Sequence, residues 1–416
     1  MADRQWLRWL ACAILLMGSL VAILLTPGPS GLAPHAPGTR DSVGDDSAGG
    51  NSTGMGSTPV PLSPAERARR AAIAALGPID KGPNGADLYR EAIKLFSALT
   101  DDEKKMLAGN YRSQDPRAAA ALYSKLQSIM GLLRQARGAG YVNWDAGQNR
   151  SADLASAVTA QVNDAYALSL VADWEADYRF QSDPAGAVGD IAATDSMAHS
   201  VELGLPGILA AGDIHMSGLQ ILADNATAIP IASQQELATI LNPAVIRESY
   251  QIGMFNEADA INNLLTGEGD PAANANASAI LSGNQNPAVT PEQIRVAEPW
   301  MAQTAQDLAT KVDEPTQQFW QWWASNLATA PDPTVVQNSN LYEARGSAQA
   351  TMVANLMFQA GLSLGQGDQT TLTTIIDPFT SQPFIYSSTA TGFTLTSPGR
   401  FQGEPLTFTF SAPISK

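Results

Sequence analysis

Two aspartates and two histidines in the middle of the chain are residue types that could form a metal or acid–base site. Asp195 and His199 are four residues apart, so both side chains lie on one face of a helix, and Asp213 and His215 follow. Two carboxylates and two imidazoles can bind zinc or iron if their segments are neighbours in the fold. The HExxH spacing is absent, and the alternative is a helix-surface pair with an isolated histidine.

Other catalytic patterns are missing from the sequence. It contains no GxSxG, GxGxxG or GxxxxGK[ST] motif. Carboxylates also occur two residues apart, a spacing that does not share a helix face and is typical of a solvated surface. These residues are Asp173, Glu175 and Asp177, and then Glu257 and Asp259. We therefore predict no catalytic residue and no cofactor, and the only metal candidates are Asp195, His199, Asp213 and His215.

An aromatic run near the C-terminal third is the most distinctive local composition of the body. In a helix, Phe319, Trp322 and Trp323 share one stripe, which core packing can absorb. Trp320 points elsewhere and is the candidate binding residue, towards a protein partner or a membrane. The alternative interpretation is that Trp320 also packs between helices.

The N-terminal segment predicts a membrane anchor. Residues 10–26 carry no charge and would rise about 26 Å as a helix, near the lower limit for crossing a bilayer. Arg4 and Arg8 precede them, which predicts a cytoplasmic N-terminus and an extracytoplasmic body. A cleaved signal peptide is the alternative.

Composition limits what the exported part can bind. Residues 151–300 carry 3 Lys or Arg against 19 Asp or Glu, so the net charge of −16 arises there. An acidic surface repels phosphate backbones, which argues against nucleic acid as a partner. The single cysteine, Cys12, lies in the anchor, so the body has no thiol chemistry.

The apolar periodicity predicts a helical body. Helix starts follow Ser63, Thr100, Asp115 and Asp183, with a further capping box proposed for Ser233 and Glu236. The other predicted helices are 85–99, 153–179, 208–222, 243–261, 292–307, 314–327 and 341–364, and 266–291 is a polar loop.

The period changes at the C-terminus. Four short segments read as extended, at 370–376, 384–387, 392–396 and 406–410. We predict a mainly α protein, a multi-helix array or bundle with a small antiparallel β appendage. The predicted regions are an anchor at 1–26, a disordered Pro/Gly/Ser-rich tether at 27–62, an α-helical domain at 63–365 and a β element at 366–416.

The ending resembles a known pattern. Residues 377–386 (DPFTSQPFIY), 392–395 (GFTL) and 397–399 (SPG) are similar to the DPFTGKPFxY…GFxLxSxG ending of uncharacterised exported bacterial proteins with one membrane segment and a helical body. Looser likenesses lie at 86–90, 141–145 and 246–248. A related ending occurs in type II secretion pseudopilins, but residues 400–404 lack their calcium-binding aspartates. The resemblance implies the architecture and a location in the bacterial inner membrane, but no chemistry.

Together these features favour a membrane-tethered interaction or scaffold protein of the cell envelope. Its expected contacts are an envelope protein and, through residues 10–26, the inner membrane. A metal-binding protein or metal-dependent hydrolase is the alternative.

Overall fold

The computed structural model describes most of the chain between residues 84 and 411. The described ranges are 84–109, 111–139, 142, 144, 154–201, 204–266, 291–331, 341–368, 370–401 and 404–411. The chain divides into two compact units, Met1–Leu62 with Asn284–Pro287, and Ser63–Gly283 with Ala288–Lys416. Every described residue belongs to the second unit, which is mainly helical with a small antiparallel β element near its C-terminus, as predicted.

Several predictions fall outside the described residues. They are the anchor at 10–26, the tether at 27–62, the helix after Ser63 and nearly all of the polar segment 266–291. Among the helices that the structure describes, none has the length and apolar character needed to cross a membrane.

The helices lie close to their predicted positions. In chain order they are α1 (Gly85–Ser97), α2 (Asp101–Leu107), α3 (Pro116–Arg137), α4 (Leu154–Arg179), α5 (Pro184–Ser200), α6 (Leu205–Asp224), α7 (Ile231–Ile240), α8 (Pro243–Thr266), α9 (Pro291–Thr310), α10 (Thr316–Leu327), α11 (Leu341–Gly365) and α12 (Thr371–Thr374). Single 3₁₀ turns occupy Tyr111–Ser113 and Ala226–Ala228.

Side-chain caps explain several of the helix starts. Thr100 and Glu103 form the predicted reciprocal capping box before α2, satisfying two backbone N–H groups that have no partner within the helix. Asp115 and Asp183 cap α3 and α5, and each is followed by a proline in the first turn. These local signals fix where the helices begin.

Two apolar clusters fill the unit. One lies among α1, α3 and α4, around Leu126, Met130 and Leu168, and the other lies among α8, α9, α11 and the sheet, around Tyr250 and Phe358. Helices α5 and α6 contribute buried side chains to both clusters. A buried polar side chain on α5 or α6 therefore lies between the two apolar clusters.

The strands form two small antiparallel sheets. They are β1 (Ile376–Asp377), β2 (Gln382–Pro383), β3 (Ile385–Thr389), β4 (Gly392–Phe401) and β5 (Glu404–Ser411). β1 pairs with β2, and the other three form a sheet in the order β3-β4-β5. The larger sheet packs on α11, where a Cβ at Gly361 would lie 2.1 Å from the Phe410 ring. Glycine is needed there because the aromatic ring touches the helix backbone.

The prediction of an extended segment at 370–376 is wrong for most of its length. Residues Thr371–Thr374 form one helical turn, and only Ile376 belongs to a strand. Asp368 accepts a hydrogen bond from the backbone N–H of Thr370 at 3.0 Å, and the carbonyl of Thr370 accepts from Thr373 and Thr374. These short-range bonds to the backbone outweigh the β preference of threonine.

The capping box proposed for Ser233 and Glu236 is also wrong. Helix α7 begins at Ile231, after Pro230, with no side-chain cap, and Ser233 is buried inside it. Glu236 instead accepts a hydrogen bond from Arg137 at 2.7 Å. A long-range ion pair occupies the carboxylate that the box would have used.

The DPFTSQPF segment forms a tight turn tied to the sheet. Asp377 is fully buried, and its Oδ1 accepts from the backbone N–H groups of Phe379 at 2.8 Å and Thr380 at 3.3 Å. The hydroxyl of Ser397 donates to its Oδ2 at 2.6 Å. Ser381 has a φ of 57°, the left-handed conformation that glycine adopts most easily.

Candidate functional site

Three of the four candidate residues converge in the centre of the unit. Asp195 and His199 lie one turn apart on α5, and His215 reaches them from α6. The Nδ1 atom of His215 contacts Oδ1 of Asp195, and Nε2 of His199 lies 3.5 Å from Oδ2 of the same carboxylate. One carboxylate therefore lies between two imidazoles whose ring centroids are 6.4 Å apart.

A third helix completes this cluster. Nε2 of His215 lies 2.6 Å from Oδ1 of Asn355, which is fully buried on α11. Because the Asp195 carboxylate only accepts, Nδ1 of His215 donates to it, while Nε2 contacts the Asn355 amide. The His215 side chain thus connects α5, α6 and α11 by charge-assisted hydrogen bonding.

The surroundings stabilise the charged form of Asp195. Burial by itself raises the pKa of its carboxyl, but the charges of His215 and His199 and their hydrogen bonds outweigh it and lower the pKa well below its usual range. The Asp195 and His215 side chains are 6% and 4% exposed, whereas His199 is 18% exposed. The ion pair is therefore largely shielded from solvent.

Little empty space surrounds the cluster. Two cavities of about 10 Å³ lie on either side of the Asp195–His215 pair, each large enough for at most one water molecule. His199, Gly212, Tyr250 and Thr351 line the first. At Gly212, a Cβ would lie 2.2 Å from the Ser347 hydroxyl, so α6 and α11 are in close contact beside it. This geometry suits a packed polar centre better than a substrate pocket.

Asp213 does not join the other three residues. Its Oδ2 accepts a hydrogen bond from the hydroxyl of Tyr166 on α4 at 2.8 Å. Burial raises the pKa of Asp213, and the Tyr166 bond opposes that effect. Across the described ranges, no group of three or more His, Cys, Asp or Glu residues is arranged to hold a metal ion.

The prediction that the closely spaced carboxylates of α4 and α8 form a solvated face is wrong for Glu175 and Glu257, which are buried. Glu175 is fully buried, and Glu257 is 8% exposed. Glu257 accepts a hydrogen bond from the backbone N–H of Leu205 at 2.9 Å, at the first residue of α6. Asp173 accepts from the Ser217 hydroxyl, and burial raises its pKa to about 7. These carboxyls accept hydrogen bonds from groups on neighbouring helices.

Trp320 lies on the surface, whereas the aromatic stripe beside it packs inwards as predicted. Phe319 and Trp323 are buried, but Trp320 is 50% exposed and meets the Phe319 ring edge-on at 5.4 Å. On the exposed face of α10, Gln317, Gln321 and Ala324 accompany it at helical spacing. This face carries an aromatic side chain and neutral amides but no charge.

A buried arginine holds the start of α10 in place. The Arg345 guanidinium lies 3.6 Å from the centroid of the Phe319 ring and donates to the carbonyls of Lys311 at 2.8 Å and Glu314 at 2.5 Å. Burial lowers its pKa to about 10. Arg345 is only 3% exposed, so its guanidinium holds the Phe319 ring, which contacts Trp320, in a defined position.

Asn355 is the residue of this cluster that the sequence analysis missed. It is a polar residue within the apolar run Val353-Ala354-Asn355-Leu356-Met357 of α11. A polar side chain at a buried helix position needs a hydrogen-bond partner, and that is the signal by which it could have been found. The partner, His215, lies 140 residues away and could not be identified from spacing.

Comparison with known proteins adds no relative. No family model matches the chain, and no curated protein and no solved structure matches it.

Proposed function

We propose that the chain is a membrane-tethered, extracytoplasmic binding module without enzymatic activity. Its partner is a protein of the cell envelope that contacts the surface around Trp320. The observation that carries this proposal is the half-exposed Trp320 ring above a buried, fixed aromatic cluster. Large aromatic side chains of this kind supply much of the binding energy at protein interfaces.

The composition of the α10 face indicates what the partner offers. Gln317, Trp320, Gln321 and Ala324 carry no charge, so burying them removes no ion from water. The partner surface that fits is an apolar pocket for the indole ring, with backbone or amide groups at its rim for the two glutamines. The apolar residues 10–26 with Arg4 and Arg8 before them support the membrane tether.

Retention of envelope proteins by the immobilised full chain tests this proposal. Trp320→Ala should weaken retention of the bound partner at least about tenfold, because loss of such an anchor typically costs about 2 kcal/mol. Leu170→Ala, at an apolar side chain on α4 that is 40% exposed, should leave retention unchanged. Equal retention by both variants would contradict the Trp320 surface. Full chain recovered outside the membrane fraction would contradict the tether.

Metal binding is the second candidate function, favoured by the convergence of Asp195, His199 and His215. A metal would have to replace the His215 contacts with Asp195 or Asn355, since both ring nitrogens are engaged. The hypothesis predicts stoichiometric zinc or iron in the purified chain, lost in His199→Ala. Elemental analysis that finds no metal in the wild type after incubation with either ion and gel filtration rejects it.

A further inference from the structure

β3 is an edge strand of the β3-β4-β5 sheet. β4 is the strand that pairs with β3 within the described part of the chain, and all five β3 residues are exposed. The opposite edge differs, because β5 lies against α6 and α11. Since no other described strand bonds to β3, the outward backbone groups of β3 are available for pairing with a further strand.

The register identifies which backbone groups face outwards. Thr389 and Gly392 flank a two-residue turn, and residues in that position normally form a hydrogen-bonded pair. The bonding direction alternates along a strand, so Ile385, Ser387 and Thr389 bond to β4. The N–H and C=O groups of the two residues between them point outwards. Those residues, Tyr386 and Ser388, are placed symmetrically about Ser387.

β3 lacks the residues that normally discourage edge pairing. Between Ile385 and Thr389 there is no charged residue, proline or glycine. Two of its side chains leave large apolar surface in solvent, since Ile385 is 54% exposed and Tyr386 is 41% exposed. Strand pairing would cover part of both.

We propose that β3 pairs antiparallel with β3 of a second copy of this chain, about a two-fold axis at Ser387. Tyr386 of each copy then exchanges backbone hydrogen bonds with Ser388 of the other, which satisfies the outward groups of both strands. Ile385 lies opposite Thr389 of the second copy. This proposal is independent of the Trp320 surface.

The neutral β3 edge allows a second copy to approach, although the net charge of −16 for the whole chain opposes association of two copies. In the row that crosses the sheet through Ser387, the neighbours Thr394 and Thr409 are also uncharged, and joining two sheets brings no like charges together. Five residues on each side bury less than the roughly 1,000 Å² of a stable interface, so the dimer is weak and concentration-dependent.

A disulfide across the two-fold axis tests this arrangement. Cys12 is the only cysteine, so full-length Cys12→Ser provides a background without thiols. In it, Ser387→Cys places two thiols directly opposite each other in a pair that is not hydrogen bonded, where Cβ atoms are about 4.5–5.5 Å apart, near the separation that a disulfide needs. We expect a cross-linked dimer after mild oxidation of the detergent-solubilised chain.

Thr409→Cys in the same background is the matched control. Thr409 is exposed in the same cross-strand row, but it lies two strands away from the edge, about 10 Å from Ser387. Cross-linking at 387 should exceed that at 409 at least about tenfold at equal protein concentration. Equal yields at the two positions would overturn the proposal.

Ser388→Pro provides a second test without a thiol. It removes an outward N–H that bonds to no residue of β4, so the hairpin ladder keeps its bonds. Analytical ultracentrifugation of the full chain over a concentration series should show a reversible dimer that this variant loses while its circular dichroism spectrum stays native. A monomer at every concentration, or a dimer that survives Ser388→Pro, would overturn the proposal.

Discussion

Replacing Asp195 by asparagine should lower the free energy of unfolding by about 3–5 kcal/mol, the usual effect of removing one partner of a buried ion pair. The substitution keeps the side-chain shape but leaves His215 without its counter-ion between two apolar clusters. It also removes the carboxylate that His199 approaches at 3.5 Å. Urea denaturation at neutral pH, followed by far-ultraviolet circular dichroism, measures the loss.

Asp102→Asn is the matched control for this measurement. Asp102 pairs with Lys105 at 3.2 Å, but both side chains are largely in solvent, at 92% and 77% exposure. Exposed ion pairs contribute little to stability, so the denaturation midpoint of this variant should equal that of the wild type. If Asp195→Asn behaves in the same way, the buried cluster does not hold the helices together.

The same pair predicts how stability changes in acid. Because the pKa of Asp195 is lower in the folded chain than in the unfolded one, its stabilising contribution is present above about pH 4 and is lost as the pH falls towards the folded pKa. The difference in stability between the wild type and Asp195→Asn should therefore shrink as the pH falls below about 4. A difference that stays constant with pH would contradict this assignment.

Local signals were sufficient for most of the helices. Thr100 and Glu103, and the Asp-Pro pairs at 115 and 183, act within one turn of the chain, so spacing alone identifies them. The change from helical to alternating periodicity likewise located β4 and β5, because each strand has one face buried against α11.

The cluster of Asp195, His199, His215 and Asn355 could be predicted only in part. The i,i+4 spacing correctly placed Asp195 and His199 together, but whether His215 would meet them depended on how α5 and α6 pack. Asp213, two residues from His215, points to another helix for the same reason. Sequence spacing identifies neighbours within one element, whereas contacts between elements depend on tertiary packing.

Glu175 shows how tertiary packing changes the chemistry of a residue that appeared solvated. It lies on α4 and accepts hydrogen bonds from Gln127 at 2.9 Å and Arg134 at 3.3 Å. Asp190, also fully buried, accepts from Arg134 at 2.6 Å and Arg179 at 3.0 Å. Burial, followed by the nearby Asp190 carboxylate, raises the pKa of Glu175 to about 8, although Gln127 and Arg134 oppose this. This shift favours the protonated form of Glu175.

This shift predicts that stability falls as the pH rises. The folded chain holds the Glu175 proton up to about pH 8, whereas the unfolded chain releases it near pH 4.5. Between these values, folding loses up to about 1.4 kcal/mol per pH unit from this group, and above about pH 8 the loss is constant. Glu175→Gln keeps a neutral side chain of the same shape and should remove that slope. Its advantage over the wild type should therefore grow from pH 5 to pH 8.

Urea denaturation at pH 5, 6, 7 and 8 measures this difference. Glu91→Gln is the matched control, since Glu91 is an exposed carboxylate that pairs with Lys94 at 2.9 Å, and it should leave the wild-type slope unchanged. Subtracting the pH dependence of Glu175→Gln from that of the wild type cancels the contribution of other groups that titrate in this range. Asp173 is one of them, because burial raises its pKa to about 7. If Glu175→Gln keeps the full wild-type slope, Glu175 is ionised in the folded chain. Arg134 and Arg179 would then pair with three carboxylates, those of Glu175, Asp190 and the half-exposed Asp183, which leaves one net negative charge.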